Sequence, residues 1–263
     1  MADNRILVST IKMDGGRKSP PKFKSMIFDM KNKKLEPFVD DASNAVVSPD
    51  GKNIVYVKRS PDNRSDLYIY NIKSGKHSAL ADDTLNVSAP SWSSDGKYIA
   101  YNTFIHSQRT GIEIVVMNVK TRETKQITSS GNFSSYSPVW SPKNNLIVYY
   151  LEKGDNHDQI YLTDSNGSFH KNLTNDMTTH NFYPSWMGDD IIYTLAPRKI
   201  ATIKTDGTKG PILEGIESFS AKYNPQLKKI IYLDDANNLM LYDVEKKTSE
   251  VLLESKDVDR IFL

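Results

Sequence analysis

One short pattern recurs along the chain: four mostly apolar residues closed by Asp or Asn. It reads Ser25-Met26-Ile27-Phe28-Asp29, Leu67-Tyr68-Ile69-Tyr70-Asn71, Ile114-Val115-Val116-Met117-Asn118 and Ile160-Tyr161-Leu162-Thr163-Asp164. A weaker copy is Ile200-Ala201-Thr202-Ile203-Lys204, and the last is Leu239-Met240-Leu241-Tyr242-Asp243. The closing positions 29, 71, 118, 164, 204 and 243 lie 42, 47, 46, 40 and 39 residues apart. A period of roughly 40–50 residues is that of a four-stranded propeller blade.

Two further columns keep the same phase. Ile54-Val55-Tyr56, Ile99-Ala100-Tyr101, Ile147-Val148-Tyr149, Ile191-Ile192-Tyr193 and Ile230-Ile231-Tyr232 each precede a copy of the first pattern, and Arg5-Ile6-Leu7-Val8 fills the sixth place. These runs are β-rich and too short for helices. Upstream stand Val47, Trp92, Trp140, Trp186 and Tyr223, the three Trp each two residues after a Pro. Turn sequences such as Ser48-Pro49-Asp50-Gly51-Lys52 and Ser93-Ser94-Asp95-Gly96-Lys97 separate these two columns. Pro fixes φ and Gly supplies positive φ, so each reads as a hairpin.

Every unit is therefore strand a (the Trp column), turn, strand b (the Tyr column), loop, strand c ending in Asp or Asn, turn, and a Lys-rich strand d. The expected fold is all-β: one domain over residues 1–263, a six-bladed β-propeller of four-stranded antiparallel blades. Strand c occurs six times, but only five strands a precede the C-terminal segment. The sixth is assigned to Asp259-Arg260-Ile261-Phe262-Leu263, pairing with the N-terminal blade and closing the ring. Closure removes the unpaired edges that an open propeller would expose.

The units Pro90-Ser91-Trp92-Ser93-Ser94-Asp95-Gly96-Lys97-Tyr98-Ile99-Ala100-Tyr101 and Pro138-Val139-Trp140-Ser141-Pro142 resemble the TolB-type propeller repeat. So does Ile160-Tyr161-Leu162-Thr163-Asp164 followed by Leu173-Thr174. The resemblance covers nearly the whole chain but not the extra N-terminal domain of TolB itself. It implies a six-bladed ring that binds proteins at one face, often in the bacterial periplasm. Similar propellers also form parts of serine peptidases and of some sugar lyases. The fifth and sixth units depart from the pattern: the turn Trp186-Met187-Gly188-Asp189-Asp190 is shortened, and Tyr223 stands in place of Trp.

Charge narrows the partners. The 34 basic and 32 acidic residues leave a net charge of +2, too balanced to imply nucleic acid. No run approaches the roughly 18 apolar residues of a bilayer span. The absence of Cys excludes disulfides and thiolate metal sites. The opening residues have no apolar signal core, so the expected location is the cytoplasm, or the periplasm or exterior if a leader has been removed. The expected form is a monomer.

In this architecture the b–c and d–a loops emerge on one face. Basic residues on the b–c loops, among them Arg59, Arg109, Arg198 and Lys199, and acidic residues on the d–a loops, among them Asp40, Asp176, Glu214 and Glu217, predict an acidic centre with a basic rim. His106 and His157 on b–c loops and His180 on a d–a loop map to the same face. Aromatic candidates for interface anchors are Phe104 on a b–c loop and Phe133, Tyr136, Phe182 and Tyr183 on d–a loops. Trp92, Trp140 and Trp186 are placed between blades by their fixed position in the repeat. There is no Gly-x-Ser-x-Gly elbow, His-Glu-x-x-His or phosphate loop.

The leading expectation is a non-catalytic scaffold that binds a protein or peptide at the loop face around the channel, through Phe104, His106, Arg109, Tyr136, His157, His180, Phe182 and Tyr183. No resident cofactor is expected, except that a Ca2+ ion could sit in the channel on backbone carbonyls and loop carboxylates. Two alternatives stay open: a propeller lyase or hydrolase using the loop histidines with carboxylates, and a carbohydrate-binding propeller.

Overall fold

The structure, a computed structural model, describes residues 5–12, 22–60, 64–80, 86–104, 111–154, 158–176, 178–254 and 260–262. The described residues contain no helix; their strands form six four-stranded antiparallel sheets. Blade one holds β1 (Arg5–Lys12), β2 (Lys22–Asp29) and β3 (Lys34–Asp40). Blade two is β4 (Ala42–Val47), β5 (Asn53–Arg59), β6 (Ser65–Asn71) and β7 (Lys76–Ala79). Blade three is β8 (Ser88–Trp92), β9 (Tyr98–Phe104), β10 (Ile112–Asn118) and β11 (Thr124–Gln126). Blade four is β12 (Ser134–Trp140), β13 (Leu146–Glu152), β14 (Gln159–Asp164) and β15 (Lys171–Asn172). Blade five is β16 (Asn181–Met187), β17 (Asp190–Leu195), β18 (Lys199–Ile203) and β19 (Lys209–Glu217). Blade six is β20 (Ala221–Asn224), β21 (Lys229–Leu233), β22 (Leu239–Asp243) and β23 (Thr248–Leu253).

The final strand, β24 (Arg260–Phe262), joins blade one in the order β24-β1-β2-β3. Its register is Ser9↔Phe262, Thr10↔Ile261 and Ile11↔Arg260, so the ring closes as the repeat predicts. The first strands of successive blades touch in turn, β4 on β8, β8 on β12, β12 on β16 and β16 on β20.

The apolar columns pack at the seams between blades. Trp92 lies with Val55 and Leu67 of blade two and Tyr101 and Val115 of blade three. Trp140 packs with Ala100 and Ile114 of blade three, and Trp186 with Val148 and Ile160 of blade four. Two indoles also tie backbone across the seam: Trp92 Nε1 donates to Val46 O at 3.1 Å and Trp186 Nε1 to Val139 O at 2.9 Å. The seam between blades six and one holds Ile231, Leu239 and Leu241 against Ile6, Val8 and Phe28.

The polar letters of the repeat also hold backbone. Ser48 Oγ donates to Asp50 Oδ1 at 2.7 Å and accepts the Asn53 N–H at 2.9 Å, locking the a–b turn; Ser93 does the same with Asp95 and Tyr98. The Asp or Asn closing strand c accepts backbone N–H groups of the following turn, as Asp29 does from Lys31 at 2.9 Å and Asn118 from Lys120 at 3.0 Å. These hydrogen bonds help hold the Asp29 carboxyl below its ordinary pKa, the bond from Asn32 being the largest influence. Of the five His, His77 and His170 share hydrogen bonds with the phenols of Tyr56 and Tyr149, at 2.8 and 3.0 Å.

A buried polar knot explains the Thr that follows strand d. Thr128 Oγ1 accepts the Ile114 N–H at 2.8 Å and donates to the fully buried Glu113 at 2.5 Å. Glu113 also accepts the Ser130 N–H at 2.6 Å. In blade four Gln159 stands in the same place and accepts from Thr174 at 2.7 Å and from the Asp176 N–H at 2.8 Å. Since an amide does this work in one blade, Glu113→Gln is expected to leave stability within about 1 kcal/mol. Glu113→Leu, which takes the acceptor from the buried Thr128 hydroxyl and from the Ser130 N–H and hydroxyl, is expected to remove about 3 kcal/mol. Urea denaturation of the two variants checks the contrast; equal midpoints would refute it.

Candidate functional site

Four innermost strands carry a β-bulge three residues before the Trp column. The residue there takes a left-handed backbone: Asn44 at φ 51, Ala89 at 49, Ser137 at 50 and Tyr183 at 51. The ladder slips at each, between Ser43 and Val46, Ser88 and Ser91, Tyr136 and Val139, and Phe182 and Ser185. A bulge bends the strand and re-aims its side chains. It does so here at the loop end of the inner strand, so Tyr136, Phe182 and Tyr183 belong to strands β12 and β16, not to the loops assigned to them by sequence.

These residues form one cluster across the seam of blades four and five. Tyr136 stacks on Tyr150 with centroids 5.4 Å apart, and Tyr183 meets Tyr150 edge-on at 5.5 Å. Phe182 meets Tyr183 edge-on at 5.2 Å. Tyr183 is 40% exposed and caps the group. Two carboxylates lie beside the rings. Burial raises the pKa of Tyr136 and of Tyr150, and Glu152 and Asp158 push both further in the same direction. Asp158 is in turn 3.0 Å from His180 Nδ1, and its carbonyl accepts the Asn181 N–H at 2.8 Å.

The exposed aromatics of the loop face continue around the ring. Phe104 ends β9, Phe133 stands before β12, and Phe219, the most exposed at 56%, stands before β20. Gly111 packs so closely on Phe133 that a Cβ there would collide with the Phe133 carbonyl, which leaves no room for any other residue. Arg198 lies over the Phe219 ring at 4.6 Å and pairs with Asp235. The sequence reading missed Phe219 and Tyr150. Phe219 falls in the junction where the repeat is weakest. Tyr150 follows the buried Tyr149, and strand alternation puts its side chain on the opposite face.

His180 is brought to a carboxylate; His106, Arg109 and His157 lie outside the described residues. Oriented against Asp158, His180 has the form of a base held by a partner. Among the described residues no three His, Cys, Asp or Glu are grouped to hold a metal ion.

Four of the carboxylates assigned to an acidic centre can be placed; Asp82, Asp83, Asp257 and Asp259 lie outside the described residues. Glu214 and Glu217 stand in β19, the outermost strand of blade five, and Glu214 is 3.0 Å from Lys247. Asp40 pairs with Lys24 at 3.2 Å and Asp176 with Lys209 at 3.6 Å. The hydroxyl and N–H of Thr178 hold the Asp176 carboxyl far below the usual range. Lys222 stands on β20, the innermost strand of blade six; it keeps solvent contact, but crowding by protein desolvates it and brings its pKa down to about 8. A sequence assigns charges to loops; the pairing that neutralises them is set across strands and blades.

Known proteins agree with this architecture. A family model described as the TolB beta propeller domain matches residues 42–251. The Tol-Pal system protein TolB of Francisella tularensis is 24% identical over 171 residues, covering 62% of this chain and 38% of that protein. The chain thus spans well under half the length of the curated relative it matches. The solved TolB of Acinetobacter baumannii superimposes with a TM-score of 0.75 at 19% identity, over 98% of this chain and 65% of that one. An oligogalacturonate lyase solved in complex with manganese superimposes with a TM-score of 0.67 at 13% identity, over 97% of this chain and 75% of that one. At such identities the two superpositions show the fold alone.

Proposed function

The chain belongs to the TolB β-propeller family, and from that premise we propose that it is a scaffold whose loop face receives a protein or peptide partner in a bacterial cell envelope. The observation that carries the reading is the arc of exposed aromatic side chains, Phe104, Phe133, Tyr183 and Phe219, all on that face. Aromatic anchors in a polar surround are the usual hot spots of protein interfaces. The opposite face exposes Tyr98 and Phe169, while its repeat residues lock turns. The naming of a relative as a Tol-Pal system protein supports an envelope role.

Capture of a peptidoglycan-associated lipoprotein from the same organism on immobilised protein tests this reading. Phe182→Ala and Tyr183→Ala are each expected to weaken capture by about tenfold, the loss of a typical anchor. Undiminished capture by both variants would remove the loop face from the interaction.

The hydrolase or lyase alternative is favoured by one observation, the oriented Asp158–His180 pair. Turnover of an oligogalacturonate or of a blocked peptide, abolished in His180→Ala, would replace the scaffold reading.

A further inference from the structure

The cluster at the seam of blades four and five has a chemistry more specific than that of a general docking face. Tyr136 and Tyr150 are direct cross-strand partners, and Glu152 lies two residues beyond Tyr150, on the same side of the sheet. Tyr183 comes from the next blade and closes the group from the side. Asp158, immediately before β14, adds its negative charge to the surroundings of both phenols. The result is a set of π faces with two carboxylates at their margin, Glu152 exposed and Asp158 held in place by His180.

Ring faces carry negative charge density and attract cations, and neighbouring carboxylates add to that attraction. An anionic group brought to this place would meet like charge. A purely apolar group would desolvate Glu152 and Asp158 without adding a compensating charge. We propose that this patch is the seat for a cationic side chain, an arginine or lysine in an extended segment of the partner. The inference rests on the loop-face reading and adds the chemistry of what that face recognises.

The net charge of the whole chain makes the proposal testable. At +2 the protein as a whole does not attract cations. A preference for a basic probe therefore reports a local site rather than a global field. Three fluorescein-labelled octapeptides are the probes: alternating Gly-Arg, Gly-Gln and Gly-Glu. Binding to the full chain is read by fluorescence anisotropy.

The arginine peptide is expected to bind about tenfold more tightly than the glutamine peptide, with the glutamate peptide weakest. The preference is expected to fall several-fold as salt is raised from about 50 mM to about 500 mM. Tyr183→Ala and Glu152→Gln should each erase most of it. Both side chains are exposed, so neither change threatens the fold; thermal melts verify this. Equal binding of the three peptides, failure of the arginine peptide to bind, or a preference that survives both substitutions would overturn the proposal. A lipoprotein partner that is lost on Tyr183→Ala while the peptides show no arginine preference would sink the cationic seat and leave the loop-face reading standing.

Discussion

Deleting residues 257–263 is expected to lower the melting temperature by on the order of 15 °C, or to prevent folding outright. The segment contains β24, the innermost strand of blade one, which pairs with β1 from Ser9 to Ile11. Without it, β1 presents an unpaired row of backbone groups at the centre of the ring, each lost hydrogen bond removing about 1 kcal/mol. The larger effect is on closure. Blade one is tied by the continuous chain to blade two and, through β24, to blade six. Once that tie is cut, the seam of Ile6, Val8 and Phe28 against Ile231, Leu239 and Leu241 becomes free to open. Each of those side chains contributes roughly 1.5–3 kcal/mol when fully buried. Circular dichroism melts of the intact and truncated chains measure the effect. A truncated chain that melts with the intact one would mean that the ring does not depend on this strand.

Trp186→Ala is expected to remove about 4 kcal/mol, which in a chain of this size is a fall of about 10 °C in melting temperature. Trp186 is 6% exposed and sits among Val148, Ile160, Leu162, Ile191 and Tyr193. Its removal leaves a cavity that a seam made of two rigid sheets cannot collapse to fill. Trp186→Phe separates the two parts of the effect. It keeps an aromatic ring but gives up the 2.9 Å hydrogen bond to Val139 O, and is expected to cost about 1–2 kcal/mol. Chemical denaturation of both variants gives the two values. An alanine variant as stable as the phenylalanine variant would show that the indole is not packed as described.

The repeat made most of the fold legible. The Asp or Asn at the end of strand c could be recognised by its spacing before anything was known of its neighbours. Its role became clear only with the turn: in Asp29 and Asn118 the side-chain oxygen holds the next N–H groups, so the residue is structural. The Trp column was legible for the same reason, because a residue fixed in every unit faces the same seam each time. Loop-face aromatics were legible as a group, since the alternation of up and down strands decides which connections share a face. Their exact setting was not. Tyr183 was read as a loop residue because the bulge that extends β16 past its Pro leaves no clear mark in local propensity.

What the sequence determined by itself is the number of blades, the order of strands within each and the closure of the ring, because these follow from periodicity, and periodicity is a property of one dimension. What only the tertiary structure decided is which side chains meet. Tyr150 joins Tyr136 and Tyr183, Asp158 holds His180, and Asp40, Asp176 and Glu214 pair with Lys24, Lys209 and Lys247. Those contacts depend on register shifts at the bulges and on how one blade sits against the next, and both are settled by packing between residues far apart in the chain.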